Sequence, residues 1–274
     1  MLPEFSCYTA SFNDLTLMEA MGTAARLGFR SVDLATGSQI SITRAADERN
    51  RDNFIAEIQA DLALFNLRVA DFHAFLPRIS INDDEKRTAD IETFKALLPF
   101  ASALQIPGIT VSAGLLHPAS DTDAFARSVD ALQMMQSAAN QADIALSIIP
   151  HPDSMAQTVP QIQHFLDEVP GLELTLDVAF MTYQNISSDD WFSLLDATRH
   201  MHLRTATQMA LQVTFDNNTI DVAVLMQQLK ERNYSGYISM AYLPPASQYQ
   251  IEKINVIETV LTLRDELRNL REKT

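Results

Sequence analysis

Short runs rich in Val, Ile and Leu alternate eight times with longer amphipathic stretches along the 274 residues, and this alternation constrains the fold more than any other feature of the chain. The strand-like runs fall near 3–8, 29–35, 67–74, 106–113, 143–150, 171–178, 199–205 and 235–242. Each precedes a helix-like stretch, near 16–27, 48–65, 84–104, 121–141, 157–168, 188–197, 220–231 and 250–272. The repeat spacing stays at about 30 to 40 residues without a low-complexity linker or a break in composition, so residues 1–274 read as one domain. Thr16 with Glu19 spells a capping box ahead of the first helix and Ser187 with Asp190 spells another, and Gly28 and Gly108 sit where helix must give way to strand. Only 7 glycines occur, none in a GxGxxG or P-loop pattern, which leaves a nucleotide cofactor without its usual signal. Eight successive βα units lacking that fingerprint favour a closed (β/α)8 TIM barrel over an open, doubly wound sheet.

Charge and composition narrow the partners. With 20 basic and 35 acidic residues the formal charge is −15, a field that repels phosphate backbones and anionic membranes, so neither nucleic acid nor a membrane is an expected partner. Cys7 is the single cysteine, which excludes an internal disulfide and agrees with a reducing, cytoplasmic setting. Met1 to Cys7 offers no basic segment followed by an apolar one, and Pro99 and Pro107 interrupt the most apolar long region; neither a signal peptide nor a membrane span is expected. The charged last helix, ending LRDELRNLREKT, reads as a solvated face or a contact in a homo-oligomer.

In a (β/α)8 barrel the site is built at the carboxyl ends of the strands, so the last inward residues carry the argument. Alternation along GLELTLDV turns Glu173, Thr175 and Asp177 inward and leaves Leu172, Leu174 and Leu176 for the helices. In RHMHLRTA the inward set is His200, His202 and Arg204. ALSIIPHP contributes Ser147, Ile149 and His151, RVADFHAF contributes Val69, Asp71 and His73, and YISMAYLP contributes Tyr237, Ser239, Ala241 and Leu243. Polar groups thus accumulate at the predicted mouth, as a ligand pocket requires. His73, His151, Asp177, His202 and Arg204 are the candidate ligand-binding residues. Asp177 and His202 supply a carboxylate and an imidazole for a divalent metal (Mn, Co, Zn or Mg), with His151 as a third donor. The competing reading makes the same histidines hydrogen-bonding pocket residues for a hydroxylated ligand without metal. His200 reads as a satisfied interior histidine, and His117 and His164 as surface residues.

The βα repeat together with LGFRSVDLA, LSIIPHP, LELTLDVAF, HMHLRTA and NNTIDVAVLMQQLKERNYSGYISM resembles the xylose-isomerase-like barrels over essentially the whole chain. That group includes sugar isomerases and epimerases, inosose dehydratases, hydroxypyruvate isomerases and abasic-site endonucleases. The resemblance implies one divalent ion held by glutamate on the fifth strand, aspartate on the sixth, histidine on the seventh and glutamate on the eighth. Asp177 and His202 match two of these positions. Ile149 and Ala241 stand where the glutamates belong, and Phe180 stands where a histidine commonly follows the aspartate by three. The missing glutamates are also the family's usual proton-transfer groups. The expected function is therefore that of a sugar isomerase or epimerase acting on a small carbohydrate or polyol by an altered mechanism. The alternative is a catalytically silent sugar-binding or regulatory relative. A nuclease role conflicts with the charge and with the depleted ligand set.

Overall fold

The structure, a computed structural model, describes residues 3–244 and 249–273. Eight parallel strands close into one barrel in sequence order: β1 (Glu4–Tyr8), β2 (Ser31–Ala35), β3 (Arg68–His73), β4 (Gly108–Ser112), β5 (Ala145–Ile149), β6 (Glu173–Asp177), β7 (Thr198–Leu203) and β8 (Tyr237–Met240), with β8 pairing back onto β1. The predicted (β/α)8 barrel is what the chain adopts. Every strand ends within two residues of its predicted carboxyl end. Thr16 and Glu19 form the reciprocal capping box, and Gly28 takes the left-handed conformation, with φ of +82°, that ends the first helix. Ser187 caps through its hydroxyl alone, and the helix it starts is a single α turn, Ser188–Trp191, continued by 3-10 turns to Ala197. The last helix begins at Val256 rather than near 250. Two short helices, Ile42–Ala46 and Val178–Tyr183, were not expected. Among the described residues no helix is long and apolar enough to cross a membrane.

Alternation sorts the strand residues into two very different layers. Phe5, Cys7, Val32, Leu34, Phe72, Ile109, Val111, Leu146, Ile148, Leu174, Leu176, Met201, Leu203, Ile238 and Met240 are buried in the apolar core shared with the helices. The intervening residues, Ser6, Asp33, Asp71, Thr110, Ser147, Thr175, His200 and Ser239, are equally buried but polar. Barrel interiors are more often filled with branched aliphatic side chains. Here the filling must satisfy hydrogen bonds instead.

Arg199 makes that filling possible. A register shift between β6 and β7 pairs Leu174 with Thr198 and Thr175 with His200, so Arg199 is the extra residue of a bulge and escapes strict alternation. Its guanidinium forms an ion pair with Asp71 and donates through Nε to Ser147 Oγ at 2.8 Å. Asp71 also accepts from Thr110 Oγ1 at 2.6 Å, and Thr110 meets Thr175 at the same distance across the barrel. Gly108 keeps the path open, since a Cβ there would lie 2.5 Å from Arg199 Cζ. Asp71 is fully buried, so removing its cation leaves an uncompensated charge. Arg199→Met is expected to lower the unfolding free energy by about 3–5 kcal/mol. Urea unfolding should show the Arg199→Met/Asp71→Asn double variant recovering most of that loss, and an equal deficit in single and double variants would contradict the assignment.

Candidate functional site

Asp177 ends β6 and begins the helix Val178–Tyr183 as its N-cap, its Oδ1 accepting from Phe180 N at 3.1 Å. Its Oδ2 accepts from Arg204 Nη1 at 2.7 Å, and both partners are almost completely buried. Arg204 follows directly after β7 and is the largest fully buried side chain among the described residues. Nη1 also donates to the Ala241 carbonyl at 3.0 Å and Nε to the Leu211 carbonyl at 3.1 Å, while Cζ lies 4.9 Å from the Phe180 ring centroid. Nη2 is buried without a hydrogen-bond partner.

His202 faces this pair from β7 and His73 from the end of β3. Their ring centroids are 6.4 Å apart, with Tyr8 from β1 lying 5.2 Å from His202 and its hydroxyl 3.3 Å from His73 Nδ1. Burial, reinforced by His202, pulls His73 down to about 4, so this ring is neutral near pH 7. Burial lowers His151 as well. Its Nδ1 lies 2.6 Å from the Pro152 carbonyl, which can only accept, so the neutral ring carries its proton on Nδ1 and takes the Ser112 hydroxyl, 3.0 Å away, at Nε2. His151 then packs at 5.9 Å on Phe180, which in turn meets Tyr249.

One carboxylate of the site was not recognised in the sequence. Asp33, fully buried on β2, lies 2.7 Å from His200 Nε2 and 3.4 Å from His202 Nε2, the latter without hydrogen-bond alignment. Burial pushes this carboxyl up, but the two imidazoles outweigh it and hold Asp33 well below the usual carboxylate range. A lone charge in the apolar pentapeptide SVDLA was the available signal. His200 is interior, as expected, yet its Nδ1 is unpartnered. His164 is exposed and stacks on Phe125 at 4.1 Å, whereas His117, expected at the surface, is largely covered and bound to Ser80 and Asp121.

These positions test the divalent ion that the resemblance implies. Ile149 and Ala241 offer no side-chain donor, and both oxygens of Asp177 are already engaged by Phe180 N and Arg204. The four-ligand ion does not fit this mouth. Asp177, His202 and His151 do not form a convergent donor set; among the described residues the three-membered group is Asp33, His200 and His202, whose donor atoms lie within 4.8 Å of one another. An ion placed there would replace the 2.7 Å hydrogen bond between Asp33 and His200.

The depressed imidazole at β3 has a consequence for stability. The unfolded chain protonates His73 near 6.5 and the folded chain only near 4, so between these values the unfolded state binds more protons and stability falls as pH is lowered. Above 6.5 the ring is neutral in both states and contributes no pH dependence. Chemical denaturation at intervals from pH 7.5 to 4 is expected to show a shallower loss for His73→Gln than for the unmodified protein. Parallel curves would refute this account of His73.

Known proteins share this architecture. Residues 22–260 match the family described as the xylose isomerase-like TIM barrel. Solved structures similar to the chain include 3-keto-D-glucoside 4-epimerase from E. coli, at 18% identity and TM-score 0.73 over 98% of this chain and 99% of that one. D-allulose 3-epimerase from Methylomonas sp. aligns at 17% identity and TM-score 0.76 over 98% of each chain. D-psicose 3-epimerase from Clostridium cellulolyticum H10, solved with D-tagatose, aligns at 13% identity and TM-score 0.78 over 97% of this chain and 99% of that one. No curated protein sequence matches significantly. At these identities the structural likeness speaks for the fold, and the family match, spanning most of the sequence, shows that the chain belongs to the xylose isomerase-like TIM barrels.

Proposed function

We propose that the protein binds a small carbohydrate or related polyol at the carboxyl-end mouth of the barrel and acts on it as an isomerase or epimerase. The observation that carries this reading is the convergence of imidazoles and one buried guanidinium at that mouth, with His202 Nε2 and Arg204 Nη2 buried without hydrogen-bond partners. Moving a proton next to a carbonyl needs a positive group on the oxygen and a base beside the carbon. Arg204 supplies the first. His73 and His202 supply candidates for the second, and the neutral His73 ring keeps a lone pair at neutral pH. His151 stands beside this group, packed on the Phe180 ring that Arg204 also covers. The charge of −15 disfavours nucleic acid, and the buried, unpaired thiol of Cys7 suits a reducing cytoplasm.

A second reading, a sugar-binding relative without turnover, is favoured specifically by Ile149 and Ala241, which remove the family's two proton-transfer carboxylates. Solvent exchange separates the readings. The protein is incubated in D2O with D-fructose, D-tagatose, D-allulose and D-ribulose, and both deuterium incorporation beside the carbonyl and ligand binding are followed by NMR. Turnover predicts incorporation that falls about 100-fold or more in His202→Ala. Binding without incorporation would establish the second reading, and neither binding nor incorporation with any of the sugars would sink both.

A further inference from the structure

We propose that the guanidinium of Arg204 is the resident cation of the mouth, standing in for a divalent ion, so that the site binds an oxygen ligand without metal. The argument begins with Asp177. A carboxylate this deeply buried needs a counter-charge, and the structure provides it at 2.7 Å from within the same chain, 27 residues further on. The residues around the pair suit a guanidinium and not a metal. A metal needs electron-pair donors on the flanking side chains, which Ile149 and Ala241 lack. A guanidinium needs acceptors, and it finds them on backbone carbonyls: Ala241 O at 3.0 Å and Leu211 O at 3.1 Å. Phe180 presents an aromatic face to the cation at 4.9 Å. A guanidinium stacks on such a face, which offers a metal ion no lone pair.

The fork is not exhausted by these contacts. Nε and Nη1 are bound, while Nη2 is buried and has no hydrogen-bond partner, and His202 Nε2 is in the same condition. A buried guanidinium donor such as Nη2 calls for an acceptor. A carbonyl or carboxylate oxygen is the chemical class that completes Nη2, because arginine can only donate. This goes beyond the sugar reading: the identity of the cation is the same whether the ligand is turned over or merely held.

The test uses the full-length protein after chelator treatment, with Mn²⁺ alone as the probe. Free Mn²⁺ is followed by electron paramagnetic resonance, and melting temperature is measured for the unmodified protein and for Asp177→Asn, Arg204→Met, Arg204→Lys and Asp177→Asn/Arg204→Met. The unmodified protein is expected to leave the free Mn²⁺ signal unchanged at micromolar concentrations. Arg204→Met, with Asp177 unpaired, is expected to melt about 10 °C lower, and the double variant to recover most of that shift. Should Arg204→Met fail to fold, Arg204→Lys keeps the charge without the fork and is expected to fold with a smaller deficit, again without taking up Mn²⁺. Stoichiometric Mn²⁺ binding by the unmodified protein that is lost in Asp177→Asn would overturn the proposal. So would an Arg204→Met protein that melts at the unmodified temperature. These readouts involve no sugar, so their failure is distinguishable from failure of the proposed activity.

Discussion

Hydrogen bonding across the barrel axis is the constraint on which the rest of this structure depends. A closed barrel lined with Asp, Thr, Ser and His has no apolar plug, and every inward group must find a partner on another strand. One half of the interior largely does so, Glu173 Oε2 at the start of β6 being the exception. Asp71, Thr110, Ser147 and Thr175, on β3 to β6, are tied together by Arg199 from the β7 bulge. The other half does not. Ser6 Oγ, Asp33 Oδ1, His200 Nδ1, His202 Nε2 and Ser239 Oγ are buried without hydrogen-bond partners, and they lie on β1, β2, β7 and β8, which are adjacent around the barrel. Ser239 is the register partner of both Ser6 and His202, so these atoms form one contiguous patch. The barrel thus divides into a largely saturated side that ties its strands together and a side where most buried polar atoms are left without partners.

The mouth inherits this division. Arg204 and His202 extend the unsaturated side upward along β7, while His151 is held between Pro152 and Ser112 on the β4–β5 side. Asp177 stands between them and is fixed twice over, once by Arg204 and once by the backbone of the helix it caps. Its carboxylate is therefore a structural anchor for the cation, and its orientation is set before any ligand arrives. Buried pairs of this kind are weak contributors to net stability, yet breaking one is strongly unfavourable, which holds Arg204 in a single arrangement.

Much of this was legible in the sequence because the barrel depends on a period of two. The inward positions of Asp177, His202 and Arg204 follow from counting back through LELTLD and HMHLR, and the structure places them on the inner face at the strand ends. Counting fails where the register slips. Arg199 sits in the bulge between β6 and β7, where strict alternation misplaces it, whereas Asp33 obeys the alternation of SVDLA and was overlooked because nothing nearby in the sequence marks its partner. Their partners are also remote: Arg199 reaches Asp71 across 128 residues and His200 reaches Asp33 across 167, separations that no local pattern encodes. The helix Val178–Tyr183 was missed for a related reason, since Asp177 reads as a strand end and its second role as an N-cap appears only once Phe180 N folds back onto it.

The distribution of carboxylates limits the chemistry more sharply than the loss of two glutamates does. Three aspartates face the interior, and each is committed: Asp33 to His200, Asp71 to Arg199 and Thr110, and Asp177 to Arg204 and Phe180 N. A carboxylate already paired with a guanidinium, or hydrogen-bonded to buried donors as Asp33 is to His200, is a poor proton acceptor, because protonation would forfeit those interactions. Any base at this mouth is then an imidazole. His73, drawn down to about 4, is a weak one, and it matches only protons already acidified by a neighbouring carbonyl under a strong electrostatic pull. The guanidinium must supply that pull, so on this reading turnover at the mouth depends on how closely the reacting oxygen approaches Arg204.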